Sequence, residues 1–470
     1  MAKPAKLLLA YYGDDFTGST DALEFLSRAG VKTALFIQPP TPEQLARYEG
    51  LQAIGVAGMT RAMAPAEMEQ ELKPAFAALR TLGAAHVHYK VCSTFDSSPA
   101  IGSIGKAIEV ATEIFQARFV PLLVAAPALG RYCAFGNLFA RMGIGSKGTI
   151  HRLDRHPSMS KHPTTPADES DLRLHLSRQT SKKIGLLDIL QVVLPEAEAR
   201  KALENTLAEG AEVVLFDAIY ENQMAGIGKL IDAFATPEKP LFSVGSSGIE
   251  MALGNYWQEA GRLQAPQYWP DLGVAEPLLV VSGSCSPVTS GQIEWAVSEG
   301  GFTQIALDTA AIARQTEAAH VIAACAAEAI ATINKGRSVI VHTNCGGNDT
   351  RLKETKQILA KTGDKSQTAQ LYGTALGQIA REVAAHTVVR RVVIAGGDTS
   401  SFAARAMGIE SVEMVAPLSP GAPICKAFAP GSPIDGLEVN FKGGQVGSPD
   451  YFGLASQGKA LRTNQQLTNY

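Results

Sequence analysis

The stretch Leu7-Leu8-Leu9-Ala10-Tyr11-Tyr12-Gly13-Asp14-Asp15-Phe16-Thr17-Gly18 sets the reading of the whole chain. Its first six residues are an unbroken apolar run, the pattern of a buried strand. The run breaks at Gly13-Asp14-Asp15. A helix is expected from about Ser19 to a stop at Gly30, because glycine just past a helix end adopts left-handed backbone freely. Working outward, residues 31–37, 53–57, 86–91 and 120–125 read as further strands. Helical patterns fill 65–82 and 101–115. This β-α-β-α alternation predicts an α/β fold with a mostly parallel sheet flanked by helices. In such sheets the ligand crevice lies beyond the strand C-termini. Asp14, Asp15, Arg61, Lys90 and Asp96 all fall at that expected edge.

Two adjacent carboxylates after a strand suit a general base, a metal ligand or a hydroxyl anchor. Equally, Asp14 could cap a turn and Asp15 the helix. The spacing Asp-Asp-Phe-Thr departs from the Asp-x-Asp-x-Thr of an aspartyl phosphatase turn. Arg61 and Lys90, at neighbouring strand ends, could clamp a small carboxylate or form surface ion pairs. Residues 127–180 read as irregular and Pro-punctuated, including His162-Pro163-Thr164-Thr165-Pro166-Ala167-Asp168-Glu169-Ser170-Asp171-Leu172. They carry His, Asp and Glu without HxH or HExxH spacing, so no metal site is expected. A long polar loop in a compact domain is more often a lid or binding loop.

Residues 264–273, Gln-Ala-Pro-Gln-Tyr-Trp-Pro-Asp-Leu-Gly, are Pro-rich and aperiodic and mark a linker between domains 1–263 and 274–470. Beyond it come two similar turns, Val280-Val281-Ser282-Gly283-Ser284-Cys285-Ser286-Pro287 and Val393-Ile394-Ala395-Gly396-Gly397-Asp398-Thr399-Ser400-Ser401. Each is a β-branched run, then small residues, then a helical pattern. Such a turn presents free backbone N–H groups at a positive dipole end. Glycine lets a phosphate approach the backbone. Pro287 suits the first helical position with Ser286 as N-cap. A strand at 337–342 runs into Thr343-Asn344-Cys345-Gly346-Gly347-Asn348-Asp349, and a glycine hairpin occupies Lys442-Gly443-Gly444-Gln445-Val446-Gly447-Ser448. The tail 416–441 reads as a closing β-segment. The P-loop, the dinucleotide G-x-G-x-x-G and the protein-kinase catalytic loop are all missing. Together the turns read as a nucleotide-binding module of another kind.

Composition bounds the partners. A chain of 470 residues is long for one core, so two domains are expected. With 42 basic and 45 acidic residues, net charge −3 and no basic tract, no nucleic-acid partner is expected. Six scattered cysteines without a CxxC pair suit a reducing cytosol. The apolar run near the start is too short for a signal peptide, and none approaches the ~20 residues of a membrane span. A cytoplasmic location and no membrane partner are therefore expected.

Tyr12-Gly13-Asp14-Asp15-Phe16-Thr17-Gly18, Ser282-Gly283-Ser284-Cys285-Ser286, Ala395-Gly396-Gly397-Asp398-Thr399-Ser400 and the loop His162–Leu172 occur in the order seen in the four-carbon acid sugar kinases, and the chain resembles that family over nearly its whole length. The resemblance implies an N-terminal sugar-acid domain and a C-terminal ATP domain. It implies ATP-dependent phosphorylation of a hydroxyl on a tetronate, 3-oxo-tetronate or related acid. For such a transfer Mg²⁺ bridging the phosphates and domain closure excluding water are expected, and a homodimer is left open. It implies nucleotide contacts at Ser282, Gly283, Ser284, Gly396, Gly397, Asp398, Thr399, Gly443 and Gly444. On the substrate side it implies Asp14, Asp15, Arg61, Lys90, Ser93 and Thr94, with Asp14 or Asp15 the candidate base; Asp96, in the same turn, is a further substrate-binding candidate of this chain's own. Where the family commonly has Lys-x-Asp-Ser-Thr-Leu-Arg-Gly, this chain has Lys90-Val91-Cys92-Ser93-Thr94-Phe95-Asp96-Ser97. An Asp has become Cys92 and an Arg has become Asp96. Gly443-Gly444-Gln445-Val446-Gly447 also departs from the commoner Ser-Gly-Asn-Phe-Gly. A branched or oxidised acid such as a 3-oxo-isoapionate is the expected consequence. The competing readings are a non-catalytic nucleotide and sugar-acid-binding protein, and a nucleotide-free dehydratase or aldolase that would leave the glycine turns unexplained.

Overall fold

The computed structural model describes residues 7–142, 148–162, 164–344, 351–362 and 368–458. The chain divides into two compact units, Met1–Gln267 (with Thr468–Tyr470) and Tyr268–Leu467. The first contains β1 (Leu9–Gly13), β2 (Thr33–Phe36), β3 (Ala53–Ala57), β4 (His86–Lys90), β5 (Val120–Leu123), β6 (Arg131–Ala134), β7 (Asn137–Arg141), β8 (Ile150–Arg152), β9 (Ile184–Leu187), β10 (Val213–Phe216) and β11 (Leu241–Gly245). A parallel sheet runs β2-β3-β1-β4-β11-β5-β10-β9. Every residue of β1, β3, β4 and β11 is buried, as a parallel sheet covered by helices requires. Tyr12 and Tyr89 stack at 6.2 Å, with Phe76 edge-on to them at 6.1 and 6.0 Å. This aromatic floor lies directly beneath the C-terminal ends of β1 and β4.

The first helix spans Phe16–Arg28, three residues earlier than expected, because Asp15 caps it by accepting the Gly18 N–H at 2.7 Å. Gly30 follows it at φ +89°, the left-handed stop that was expected. Residues 127–180 depart from the irregular loop expected of them. β6, β7 and β8 form a small antiparallel sheet, and a helix covers Leu172–Ser177. The hairpin between β6 and β7 turns through Phe135 (φ +50°) and Gly136 (φ +81°). Sequence reading looks for Asn or Asp before that glycine, and Phe135 hid the turn.

The second unit contains β12 (Leu279–Ser282), β13 (Thr303–Ala306), β14 (Val339–His342), β15 (Arg391–Ala395), β16 (Ser411–Ser419), β17 (Ala422–Phe428) and β18 (Glu438–Lys442). Its strands run β13-β14-β12-β15-β18-β17-β16. They are parallel as far as β18 and antiparallel through β17 and β16. The glycine-rich segment 345–350 lies outside the described residues. No helix among the described residues is long and apolar enough to cross a membrane.

The two units wind in the same way. The first runs from β1 out to β2, back through β3, and across β1 to β4; the second runs from β12 to β13, back through β14, and across to β15. Each therefore reverses beside its first strand. The loops leaving β1 and β4, or β12 and β15, diverge there and open a crevice at the C-terminal edge.

Candidate functional site

In the first unit, the turn after β1 is tied to its neighbours. The Asp14 N–H donates to the Lys90 carbonyl at 2.8 Å, and the Arg61 N–H to the Asp14 carbonyl at 3.1 Å. Arg61 reaches both carboxylates: its Nε lies 3.7 Å from Asp14 Oδ2, and its Nη2 contacts Asp15 Oδ2. Asp15 also accepts from the Gly18 N–H and, at 2.8 Å, from the Thr17 hydroxyl. Asp14 is equally buried, yet its Oδ1 has no hydrogen-bond partner. Burial pushes the Asp14 carboxyl above its ordinary range, outweighing Arg61 and Lys90, and Asp96 pushes the same way. Gly18 leaves room for this convergence. A Cβ there would sit 2.5 Å from Asp15 Oδ1, 3.2 Å from Lys90 Nζ and 3.8 Å from Asp14 Oδ1.

Lys90, 1% exposed, lies with its Nζ 3.4 Å from Asp21 Oδ2 and donates to the Val91 carbonyl at 3.0 Å. Asp21 also accepts from the Ser247 hydroxyl at 2.7 Å. Behind them His88 Nε2 and Glu250 Oε1 are 3.6 Å apart, both wholly buried. Burial holds Glu250 up at about 8 and His88 down at about 3, so both are neutral at pH 7. The turn Cys92–Phe95 closes with the Phe95 N–H on the Cys92 carbonyl at 2.9 Å. Ser93, Thr94 and Asp96 are buried along it, and Asp96 Oδ1 has no partner. Cys92 Sγ is 3.0 Å from the Thr94 hydroxyl, and burial together with Asp96 pushes its thiol up. Phe95 is held at φ +57°, an uncommon conformation for a bulky residue and one found where surroundings over-determine the backbone. Thr94, Asp96 and Ser97 line a shallow cleft with Thr165, Ala167 and His175. The Pro-punctuated segment thus packs on the turn after β4.

The structure therefore gathers Asp14, Asp15, Arg61, Lys90, Ser93, Thr94 and Asp96 at one crevice. Sequence reading missed Asp21, His88, Ser247, Glu250 and Arg131 in the same neighbourhood. One signal was available: Asp21 and Glu24 occupy buried positions of the Phe16–Arg28 helix, where an apolar residue is the rule.

In the second unit, three glycine turns interlock. The Gly283 N–H donates to the Ala395 carbonyl at 3.0 Å and the Gly396 N–H to the Lys442 carbonyl at 2.9 Å. Gly396 has φ +126°, and a Cβ on it would lie 3.2 Å from the Ser284 nitrogen. A Cβ on Gly444 would meet the Ser284 hydroxyl at 2.9 Å, and one on Gly283 the Thr399 hydroxyl at 2.2 Å. Helix Pro287–Ser298 starts here with Ser286 as N-cap, and helix Gly397–Ala406 starts at Gly396. Ser284 and Thr399 are buried, Gly397 and Gly443 half-buried, and Asp398 exposed. The Ser282 and Thr343 hydroxyls, at the ends of β12 and β14, are buried without partners.

Lys442, at the end of β18, is the residue sequence reading passed over here. It is fully buried and donates at 3.0 Å each to the Thr289 hydroxyl and the Gly443 carbonyl. Its Nζ lies 5.5 Å from the Tyr451 ring centroid. Among the described residues no carboxylate pairs with it, and burial pulls its ammonium down to about 7. Nor do the described residues include a group of three or more His, Cys, Asp or Glu placed to hold a metal.

Fold and crevices together define a two-unit α/β protein: one unit carries a compact acid–cation cluster, the other a glycine-lined crevice with a buried cation. Residues 9–253 match the family described as a sugar-binding N-terminal domain, and residues 279–452 the one described as a nucleotide-binding C-terminal domain. The chain is 41% identical to the 3-oxo-isoapionate kinase of Paraburkholderia graminis over 460 residues, covering 97% of this chain and 96% of that one. It is 28% identical to the 3-oxo-tetronate kinase of Pseudomonas savastanoi pv. phaseolicola, covering 96% and 97%. Among solved structures, Haemophilus influenzae protein HI1011 superposes with TM-score 0.66 at 22% identity, over 95% of this chain and 98% of that one, a likeness of fold. The chain belongs to the four-carbon acid sugar kinase family and is a sugar-acid kinase, which implies the use of ATP.

Proposed function

We propose that this chain transfers the γ-phosphoryl group of ATP to a hydroxyl of a branched or oxidised sugar acid, with 3-oxo-isoapionate the first candidate. The observation that carries the substrate is the 41% identity, along 97% of the chain, to an enzyme of that name. The replacements at Cys92 and Asp96 support the same direction.

Phosphoryl transfer asks a protein for positioning and charge neutralisation. We assign Asp14 as the general base. Its Oδ1 is free and its carboxyl is raised, whereas Asp15 is engaged by Gly18, Thr17 and Arg61. The proton of the attacking hydroxyl would pass to Asp14 Oδ1. Arg61 and Lys90 would balance the carboxylates, and Ser93, Thr94 and Asp96 would orient the acid. On the second unit the phosphates would lie against Ser282, Gly283, Ser284, Gly396, Gly397, Thr399, Gly443 and Gly444, with Lys442 supplying the opposing charge. Asp398, exposed and anionic, would touch the nucleotide away from its phosphates. A Mg²⁺ ion would enter with ATP, held by phosphate oxygens and water, since the described residues supply no cage for it. The cytoplasm, where ATP is supplied, is the proposed location.

The test is coupled ADP release with Mg-ATP against D- and L-threonate, D- and L-erythronate, their 3-oxo forms and 3-oxo-isoapionate. The highest kcat/KM is expected on 3-oxo-isoapionate. ATP binding by calorimetry with no ADP release on any acid would instead make this a binding protein without chemistry.

A further inference from the structure

One buried cation of the first unit sits outside the motifs that carry the family resemblance. Arg61 is engaged by Asp14 and Asp15, and Lys90 by Asp21. Arg131, the first residue of β6, has no such partner. It is 6% exposed. Its Nη1 donates to the carbonyls of Leu129 (3.0 Å), Gly130 (3.4 Å) and Arg141 (3.2 Å), which fixes the guanidinium in place. Its Nε is buried and has no hydrogen-bond partner. Among the described residues no carboxylate lies within ion-pair distance of it. The acidic groups whose fields it feels are Cys92, Asp96, Asp21 and Tyr132. Asp96, in turn, carries a buried Oδ1 with no partner.

A buried donor and a buried acceptor thus occupy one electrostatic neighbourhood without bonding to each other. Leaving both unmade is costly, and a ligand that offers an acceptor to one and a donor to the other relieves both. A hydroxy acid does this: its carboxylate accepts from the guanidinium while a hydroxyl donates to Asp96. We infer that Arg131 binds the carboxylate of the sugar acid and Asp96 one of its hydroxyls, so that this pair selects the substrate. The inference rests on the sugar-acid reading above. It also accounts for an anion at position 96, because the cation the acid needs comes from β6.

The test compares full-length wild type, Arg131→Met, Arg131→Lys and Asp96→Asn on 3-oxo-isoapionate and its carboxamide. Wild type is expected to favour the acid strongly. Arg131→Met is expected to raise KM for the acid roughly 10–100-fold and to erase most of the preference over the carboxamide, leaving the Kd for ATP unchanged. Because Arg131 also holds three carbonyls, Arg131→Met could fail to fold. Arg131→Lys keeps the charge but loses the Nε–H, and at an unchanged Tm it is expected to raise KM about tenfold or more. Asp96→Asn is expected to raise KM while preserving the acid–carboxamide preference. A folded Arg131 variant that keeps wild-type KM and wild-type preference would overturn the inference alone. A wild-type protein that neither binds nor turns over any acid of the panel would overturn it together with the sugar-acid reading.

Discussion

Two lysines at the C-terminal ends of strands, Lys90 on β4 and Lys442 on β18, are both buried, yet their surroundings differ in kind. Lys90 faces a carboxylate, Asp21, which is itself held by Ser247. Lys442 faces a hydroxyl, a carbonyl and an aromatic ring. Around Lys90 charge is settled within the protein, and the first unit leaves one guanidinium, Arg131, for a single carboxylate of the proposed ligand. In the second a cation is left open, which suits a ligand far more anionic than a sugar acid. The difference in charge balance distinguishes the proposed site for a small hydroxy acid from the proposed one for a polyphosphate.

The largest effects should come from breaking the settled side. Asp14→Asn removes the proposed base with little change of shape and is expected to lower kcat by roughly 10²–10⁴-fold, with ATP affinity intact; a kcat within threefold of wild type would remove Asp14 from that role. Lys90→Met strands Asp21 as a buried, unpaired charge and is expected to cost about 3–5 kcal/mol in chemical denaturation. Lys442→Met strands no charge, so it should leave the protein at least as stable. It should weaken ATP about 10–100-fold by calorimetry without moving affinity for the acid. Equal destabilisation by the two lysine variants would erase the contrast.

Acidity sharpens the comparison. Lys442 is pulled down to about 7, and bound phosphate would hold it protonated. ATP affinity should be full below about pH 7 and fall above it, by up to about tenfold per unit, and Lys442→Met should flatten that profile. The smallest effect on turnover and ATP affinity is expected at Glu250, whose signature is in stability. Its carboxyl is raised from 4.5 to about 8, so between those values the folded state holds a proton that the unfolded state releases. Stability from this group therefore declines as pH rises through that window. Glu250→Gln, which mimics the protonated acid, should match wild type near pH 5, become the more stable of the two as pH rises toward 8, and so remove the decline. Titration of Tm from pH 5 to 8 reads both signs.

The strands and glycine turns were legible because each is a local pattern: an apolar run such as Leu7–Tyr12, then small residues, then a helix start. Asp14, Asp15, Lys90 and the Gly396–Thr399 turn were found because they follow such runs directly. What escaped was charge arriving from elsewhere. Asp21 sits within a helix, Glu250 in the first turn of another, and Arg131 on a short half-buried strand entered through a turn that sequence reading did not expect. Each becomes significant only through a partner far along the chain, as Ser247 is to Asp21. Which of Asp14 and Asp15 is already engaged also needed coordinates, since both suit the same turn.

The shared winding of the two units has an evolutionary consequence. β2-β3-β1-β4 and β13-β14-β12-β15 are one order used twice, and in both the proposed ligand-facing residues lie at strand ends and in the loops beside them rather than in strand interiors. Selection can then retune which acid is accepted through positions such as 92, 96 and 131, in one half of the gene, while the nucleotide-facing turns in the other half stay fixed. New substrates would be acquired by drift on one side of a boundary that the other side never has to cross.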